Sequence, residues 1–347
     1  MSGSLTPNRI RALRMANQLL LSPAGSVLGA AGHMLAIQSQ DLAAGRYALA
    51  HRANPGTTRS EIDALFSSGQ LVRSWTMRGT LHLCLPADVR WLVRLARERT
   101  LAAMAPRLHE LQITAADIDT AGELIISHLT DHGSASRTNL FAMLNEHGIG
   151  TSAQRGVHLL MCLVLDGLLC LGPIPDGAGP SGQNLILLET LTAADLEPAE
   201  PLQELLRRYL RAHGPASVRD AAWYTGQTLT TLRRAAADLG AELHCVGQDA
   251  RGEDLYLLTD YAVHETALPS RLPLRLLGPF DEYYLSYADR SLAADAQLQA
   301  SIGPGKNGMV KAFWLRLGRA TELWNAETAP TDRIGAALHQ RYVEFRT

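Results

Sequence analysis

The chain has 347 residues, 46% of them hydrophobic and 19% charged, with a formal net charge of −2 at pH 7. That length and apolar content suit two or more cored domains of a globular protein, and no apolar run reaches the ~20 residues that a membrane-spanning helix needs. The small net charge leaves nucleic-acid partners open, because local patches rather than the global balance govern phosphate contact. The opening residues, Met1-Ser-Gly-Ser-Leu-Thr-Pro, place no basic region before an apolar core, so no leader is expected and the expected location is the cytoplasm. Four cysteines, Cys84, Cys162, Cys170 and Cys245, form no Cys-x-x-Cys pair and read as free thiols, three of them in apolar surroundings.

In chain order the same sequence of elements comes three times: helices, a short helix-turn-helix, then a hairpin. The first pass runs from a helix over 8–21 through an apolar helical run, Val27 to Ile37, and a second helix, Leu42 to His51. Between these two lies Gln38-Ser39-Gln40-Asp41, with two amide side chains one residue apart. An amide at the edge of a helix-turn-helix can hold a water or a base edge without carrying charge. Thr58-Arg-Ser60-Glu61 reads as a helix start, and the hairpin over 70–85 turns at Arg78-Gly79.

The second pass predicts helices over 86–104 and 118–129, then one capped by Ser136 that runs through Leu144 and stops at His147-Gly148. A helix over 154–168 follows, and Leu169–Leu171 with Leu185–Leu188 give a strand–wing–strand. The third pass has helices over 201–212, 218–224 and 228–239, broken at Gly226, and strands over 243–246 and 255–258 around Asp249-Ala-Arg-Gly252. Beyond 269 helical periodicity fades. Met309–Gly318 reads as strand, and 334–345 mixes helix with a short final strand. The fold class expected is α+β, mainly α, with tandem winged-helix units at 1–85, 86–192 and 193–268 and a β-rich domain at 269–347.

Several patterns carry competing readings. Gly177-Ala-Gly179-Pro-Ser-Gly182 spells a dinucleotide fingerprint, but Pro180 and a strand follow where a helix must open, so it reads as a wing loop. His128 and His132 share a helical face without the glutamate or third ligand of a metal site. Arg90, Arg94 and Arg97 share another face, which is either solvated or a phosphate-binding stripe alongside Arg73, Arg78 and His82 of the hairpin. Trp75 in that hairpin either packs in the core or stacks on a base. Asp281, Glu282, Asp289 and Arg290 read as an internal salt-bridge cluster or as support for an active site. The chain's lysines are Lys306 and Lys311, and Lys306-Asn307 sits in a glycine-rich turn slim enough to enter a minor groove.

The Gln38-Ser39-Gln40 segment, with Gly278-Pro-Phe-Asp281-Glu282-Tyr-Tyr284 far downstream, resembles the AlkZ-like bacterial winged-helix DNA glycosylases, the interstrand-crosslink glycosylases. Their signature is glutamine, usually a hydrophobic residue, then glutamine. A related YcaQ-like branch has aspartate third, so Gln40 puts this chain with the AlkZ-like branch, while Ser39 departs from the hydrophobic preference. The resemblance implies a C-shaped array of three winged-helix units with a C-terminal β-barrel. It also implies a monofunctional glycosylase for N7-alkylguanine, bulky or crosslinked adducts included. Gln38 and Gln40 would be catalytic, with no cofactor and no metal. Expected contacts to double-stranded DNA carrying alkylated guanine are Arg73, Arg78, His82, Arg90, Arg94, Arg97, Lys306 and Asn307. A monomer in the nucleoid, with no membrane partner, completes the expectation. Self-resistance to a DNA-alkylating natural product and general repair would use the same motif. The competing readings are a winged-helix transcriptional regulator, which is usually a dimer on two half-sites, and a protein-interaction scaffold.

Overall fold

Thr6 caps the first helix, α1 (Pro7–Asn17), and Pro7 stands where its missing N–H costs nothing. The computed structural model describes residues 5–175, 177–178, 182–260, 268–305, 308–325, 327 and 333–346. It divides into two compact units, one of residues 1–59 and 199–347, the other of 60–198. In the first unit α1 is followed by α2 (Val27–Met34), β1 (Ile37–Gln38) and α3 (Leu42–Arg52). The helix expected to run to Ile37 ends three residues sooner. Leu35 takes a positive φ of 64°, which breaks the helical ladder, and Leu35, Ala36 and Ile37 are buried outside the helix, with Ile37 opening β1.

The second unit opens with α4 (Arg59–Ser67) and the antiparallel pair β2 (Val72–Trp75) and β3 (Leu81–Cys84). Arg78 and Gly79 both have positive φ, 55° and 65°, as the expected turn requires. Next is α5 (Pro86–Glu110), which continues past the expected end at Met104 and through Pro106. A helix-interior proline costs about 3 kcal/mol. Here Leu101, Met104 and Leu108, on both sides of Pro106, pack with Cys162 and Leu165, and that burial offsets the loss. The unit continues with α6 (Ala115–His132), α7 (Arg137–Glu146), α8 (Arg155–Leu165), β4 (Leu169–Leu171) and β5 (Leu185–Leu187). Ser136 caps α7 as expected, and a Thr114/Asp117 capping box starts α6.

Strands of this unit lie in the order β3-β2-β4-β5, with Arg73 of β2 opposite Leu171 of β4. The hairpin read as part of 1–85 and the strand pair read as part of 86–192 therefore share one sheet. Trp75 packs against the leucine-rich core of α6, α7 and α8, so the packing reading holds for it. Three cysteines are buried and Cys245 is exposed, all free.

The first unit resumes with α9 (Pro201–His213), α10 (Val218–Thr225), α11 (Leu229–Leu239) and the hairpin β6 (Leu243–Gln248) and β7 (Asp254–Leu258). Gly226, with φ of 74°, makes the expected break. The last part holds β8 (Arg275–Leu277), α12 (Glu282–Leu285), α13 (Ala296–Ile302), β9 (Phe313–Arg316), β10 (Arg319–Leu323) and α14 (Arg333–Arg346). The expected β-barrel is corrected here: the described residues form an open antiparallel sheet, β10-β9-β8. Three short strands are too few to close on themselves. Helices cover the sheet instead. Tyr283 and Tyr284 of α12 pack with Phe313 and Leu315, while Tyr342 of α14 packs with Leu276 and Trp314. The expected final strand is also corrected, because Leu338, Tyr342 and Phe345 share one helical face buried against Tyr47 and Trp324.

One buried ion pair ties the N-terminal helices of this unit to its last part. Arg52, at the end of α3, donates from Nη1 and Nη2 to the two Asp281 carboxylate oxygens at 3.0 and 2.8 Å. Both side chains are almost fully buried, 0% and 1% exposed. Asp281 also caps α12 by accepting from the Tyr283 amide at 2.9 Å. Removing one member of a buried pair strands the other charge. Arg52→Ala is expected to lower unfolding stability by about 3–5 kcal/mol in urea titration. A loss under 1 kcal/mol would show that Asp281 finds water or another donor.

Candidate active site

The Gln38-Ser39-Gln40 segment leaves β1 and turns into α3, whose first turn Asp41 caps by accepting from the Ala44 amide at 3.0 Å. Gln38 is buried, Ser39 fully so, and Gln40 is exposed. Ser39 sits where α3 comes closest. A Cβ placed on Gly45 would fall 2.3 Å from the Ser39 Cβ and 3.1 Å from its Cα. A glycine in a helix interior costs roughly 1 kcal/mol against alanine, and here it lets the helix lie on the motif. A large residue in the middle place would meet α3, so serine fits this chain. On the preceding side, the Tyr224 hydroxyl donates to the Ala36 carbonyl at 2.6 Å.

Glu282 fixes the motif from beneath. The backbone N–H of Gln38 donates to Glu282 Oε1 at 2.6 Å, and the Ser286 hydroxyl donates to Oε2. His213 Nε2 lies 3.7 Å from Oε2, with both side chains buried. Burial pushes the Glu282 carboxyl up, but His213, Ser286 and the Gln38 amide outweigh it and hold the group at about 2. The carboxylate is therefore ionised at neutral pH although it is 1% exposed.

A second layer supports this one. Arg52 Nη2 donates to Gln18 Oε1 at 3.1 Å, Gln18 Nε2 to the Tyr287 hydroxyl at 3.0 Å, and that hydroxyl to the His213 carbonyl at 2.8 Å. The rings of Tyr209 and Tyr224 flank the His213 imidazole at 4.9 and 4.8 Å. Of the four polar residues read downstream as one cluster, Asp281 and Glu282 reach back to Arg52 and Gln38. Asp289 accepts from the Ser291 amide, and the Arg290 guanidinium lies 5.1 Å from the Trp223 and Tyr284 ring centres. Glu282 thus holds the main chain of the Gln38-Ser39-Gln40 segment. His213, Ser286 and Gly45 were missed by sequence reasoning. Only Gly45 left a signal, as a glycine inside a helical run.

The expected DNA contacts fare differently. Arg73 is buried in β2 with Nη1 3.4 Å from Gln183 Oε1. His82 is fully buried in β3, its Nδ1 3.0 Å from the Thr76 hydroxyl, so its ring braces the hairpin from inside. Arg78 is half-buried at the turn. Arg90, Arg94 and Arg97 share a face as read, but acids of the same unit hold each one: Asp195 at 2.8 Å, Glu197, and Asp166 at 2.6 Å. Lys306 and Asn307 lie outside the described residues, as does part of the 177–182 loop. The His128 and His132 rings stack on each other at 4.3 Å.

Comparison with known proteins places this geometry. The family model described as DNA glycosylase AlkZ-like matches residues 31–333. An interstrand DNA cross-link repair glycosylase from Streptomyces sahachiroi is 25% identical over 282 residues, covering 77% of this chain and 73% of that protein. The solved structure of the Streptomyces sahachiroi DNA glycosylase AlkZ superposes with a TM-score of 0.80 over 98% of this chain and 97% of that one, at 20% identity, so the fold is shared. The matched region contains both the glutamine motif and its Glu282 support, and the chain belongs to the AlkZ-like DNA glycosylase family.

Proposed function

We propose that this DNA glycosylase hydrolyses the N-glycosidic bond of N7-alkylguanine in duplex DNA, with Gln38 and Gln40 as its catalytic residues and no metal in the step. The observation that carries the reading is the anchoring of the Gln38 backbone on a buried, ionised carboxylate. Alkylation at N7 makes guanine cationic, so the base leaves without a strong acid to protonate it. The transition state is oxocarbenium-like, with water approaching the anomeric carbon. A glutamine carbonyl oxygen accepts a hydrogen bond from that water, while the amide NH₂ donates to a sugar or phosphate oxygen. Two amides held in place contribute through orientation and fixed dipoles. So weak a catalyst spares undamaged guanine, whose bond needs more help.

Gln40, exposed, is the residue that meets the substrate first. Gln38 is held by its main chain, and Glu282 acts only through it. The name of the relative supports crosslinked adducts as substrates, and such a lesion suits self-resistance to a DNA-alkylating natural product. The enzyme is proposed to act as a monomer, with Arg78, Lys306 and Asn307 among its DNA contacts. Arg90, Arg94 and Arg97 reach a phosphate only by leaving their acids, so they add little unless DNA displaces those partners.

Gln38→Ala and Gln40→Ala are each expected to slow single-turnover release of N7-methylguanine by about 100-fold or more with the thermal midpoint kept. Full excision by the double variant would end the assignment. Gly45→Ala should also impair excision, although it touches no proposed catalytic group; unchanged turnover would mean that Ser39 can shift freely. Because the folded-state pKa of Glu282 is depressed from 4.5 to about 2, its contribution to stability is present above about pH 4.5 and is lost as pH falls through about 2. Glu282→Gln should therefore flatten the fall of the urea midpoint between pH 4.5 and 2. The same slope in parent and variant would refute an ionised Glu282.

A further inference from the structure

Acids of the chain itself answer many of its arginines: Asp220 faces Arg14, Asp281 Arg52, Asp117 Arg155, and Glu253 Arg219. One group is not answered. Within the unit of residues 1–59 and 199–347, Arg9 and Arg11 of α1 and Arg316 and Arg319 of the β9–β10 hairpin line one open cleft of about 870 Å³. Among the described residues none of the four guanidinium groups forms an ion pair. The carboxylate on the cleft wall, Asp295, is engaged in capping α13, accepting from the Leu298 amide at 2.9 Å.

The fold concentrates these charges. Arg316 and Arg319 are direct cross-strand partners on either side of the two-residue turn Leu317-Gly318, whose φ values are 52° and 71°. Like charges directly opposite each other destabilise a strand pair. Tyr283 holds the turn down, its hydroxyl donating to the Gly318 carbonyl at 2.7 Å. A Cβ on Gly318 would fall 2.8 Å from the Arg11 Cβ, so the hairpin tip lies directly on α1. Arg11 is 8% exposed, and its Nε has no hydrogen-bond partner. Burial lowers the proton affinity of that guanidinium, Tyr283 opposes this, and the charge of Arg319 adds to it. The whole chain carries −2, so the positive excess is local.

Four cations with no ion-pair partner, against one carboxylate that caps α13, call for an anionic ligand, and the planar guanidinium fork matches phosphate oxygens in particular. We propose that this cleft is a phosphate-binding site that seats the sugar–phosphate backbone of duplex DNA. Its openness and the spread of the four arginines over a helix and a hairpin suit a polymer whose phosphates pass along it. The glycosylase reading supplies the choice of DNA over a free phosphorylated compound; the phosphate chemistry stands without it.

The test uses the full chain and an undamaged duplex oligonucleotide, with affinity measured across a series of salt concentrations. Arg316→Gln with Arg319→Gln should weaken binding about 10-fold or more near 0.1 M salt and make the slope of log affinity against log salt shallower by about two. The thermal midpoint of this variant should stay level or rise, since a like-charged pair is removed, which separates lost binding from lost folding. Arg9→Gln, on the other wall, should reduce the slope by about one. Unchanged slopes in both variants overturn the proposal. So does pyrophosphate raising the parent's midpoint, but not the double variant's, while duplex binding is the same in both, because the site then takes a free phosphate. Excision of N7-methylguanine by the parent is measured separately. A parent that binds duplex through these arginines but excises nothing would sink the catalytic reading and leave the cleft intact.

Discussion

The Arg52–Asp281 pair is the constraint on which the candidate site depends. Two charges removed from water need close to ideal geometry to break even, and this pair has two parallel hydrogen bonds, with the other two Nη hydrogens going to the Ala48 carbonyl and Gln18 and only Nε left without a partner. Such a pair adds little net stability over an apolar substitute. What it fixes is position. It sets the end of α3 against the start of α12, and the next residue after Asp281 is Glu282. With α12 so placed, the Glu282 carboxylate meets the Gln38 amide, and α3 lies over Ser39 through Gly45.

The chemistry proposed for the glutamine motif is economical in charge. In the proposed mechanism the buried Glu282 carboxylate does not act on substrate. It holds one backbone amide, is itself held by Ser286 and His213, and so keeps the motif's main chain from relaxing. Catalysis by amide side chains depends on placement more than on acidity, because an amide at a loose distance gains nothing from a shifted pKa. In that proposal the ionisable groups under the motif serve to place it.

Arginine is used in two ways in this chain. Along α5 it is matched by acids of the same unit, and the stripe that resembles a DNA-binding face is internally compensated. At the α1 and β9–β10 cleft it is uncompensated, and the hairpin turn is pinned so that the charges stay together. Spacing on a helix cannot separate these cases, because the partners of the first group come from segments some 70 to 100 positions away.

The sequence by itself determined the local elements. Ser136, Thr228 and Gly226 set helix ends through their own capping and left-handed geometry, and Arg78-Gly79 set its turn, because these choices are made by hydrogen bonds within a few residues. It also displayed the glutamine motif and, through resemblance, the glycosylase family. Tertiary structure alone decided the rest. Helix α5 runs through Pro106 and α14 stays helical to its end because buried faces outweigh local preference. The β2–β3 hairpin shares a sheet with β4 and β5, and the last strands stay an open sheet under their helices. The support of the site was beyond reach in one dimension: Asp281 and Glu282 lie 229 and 244 positions from the groups they hold, and His213 carried no local mark at all. A buried charge selects its partner by three-dimensional proximity and desolvation, and neither quantity is written in the neighbouring residues of the chain.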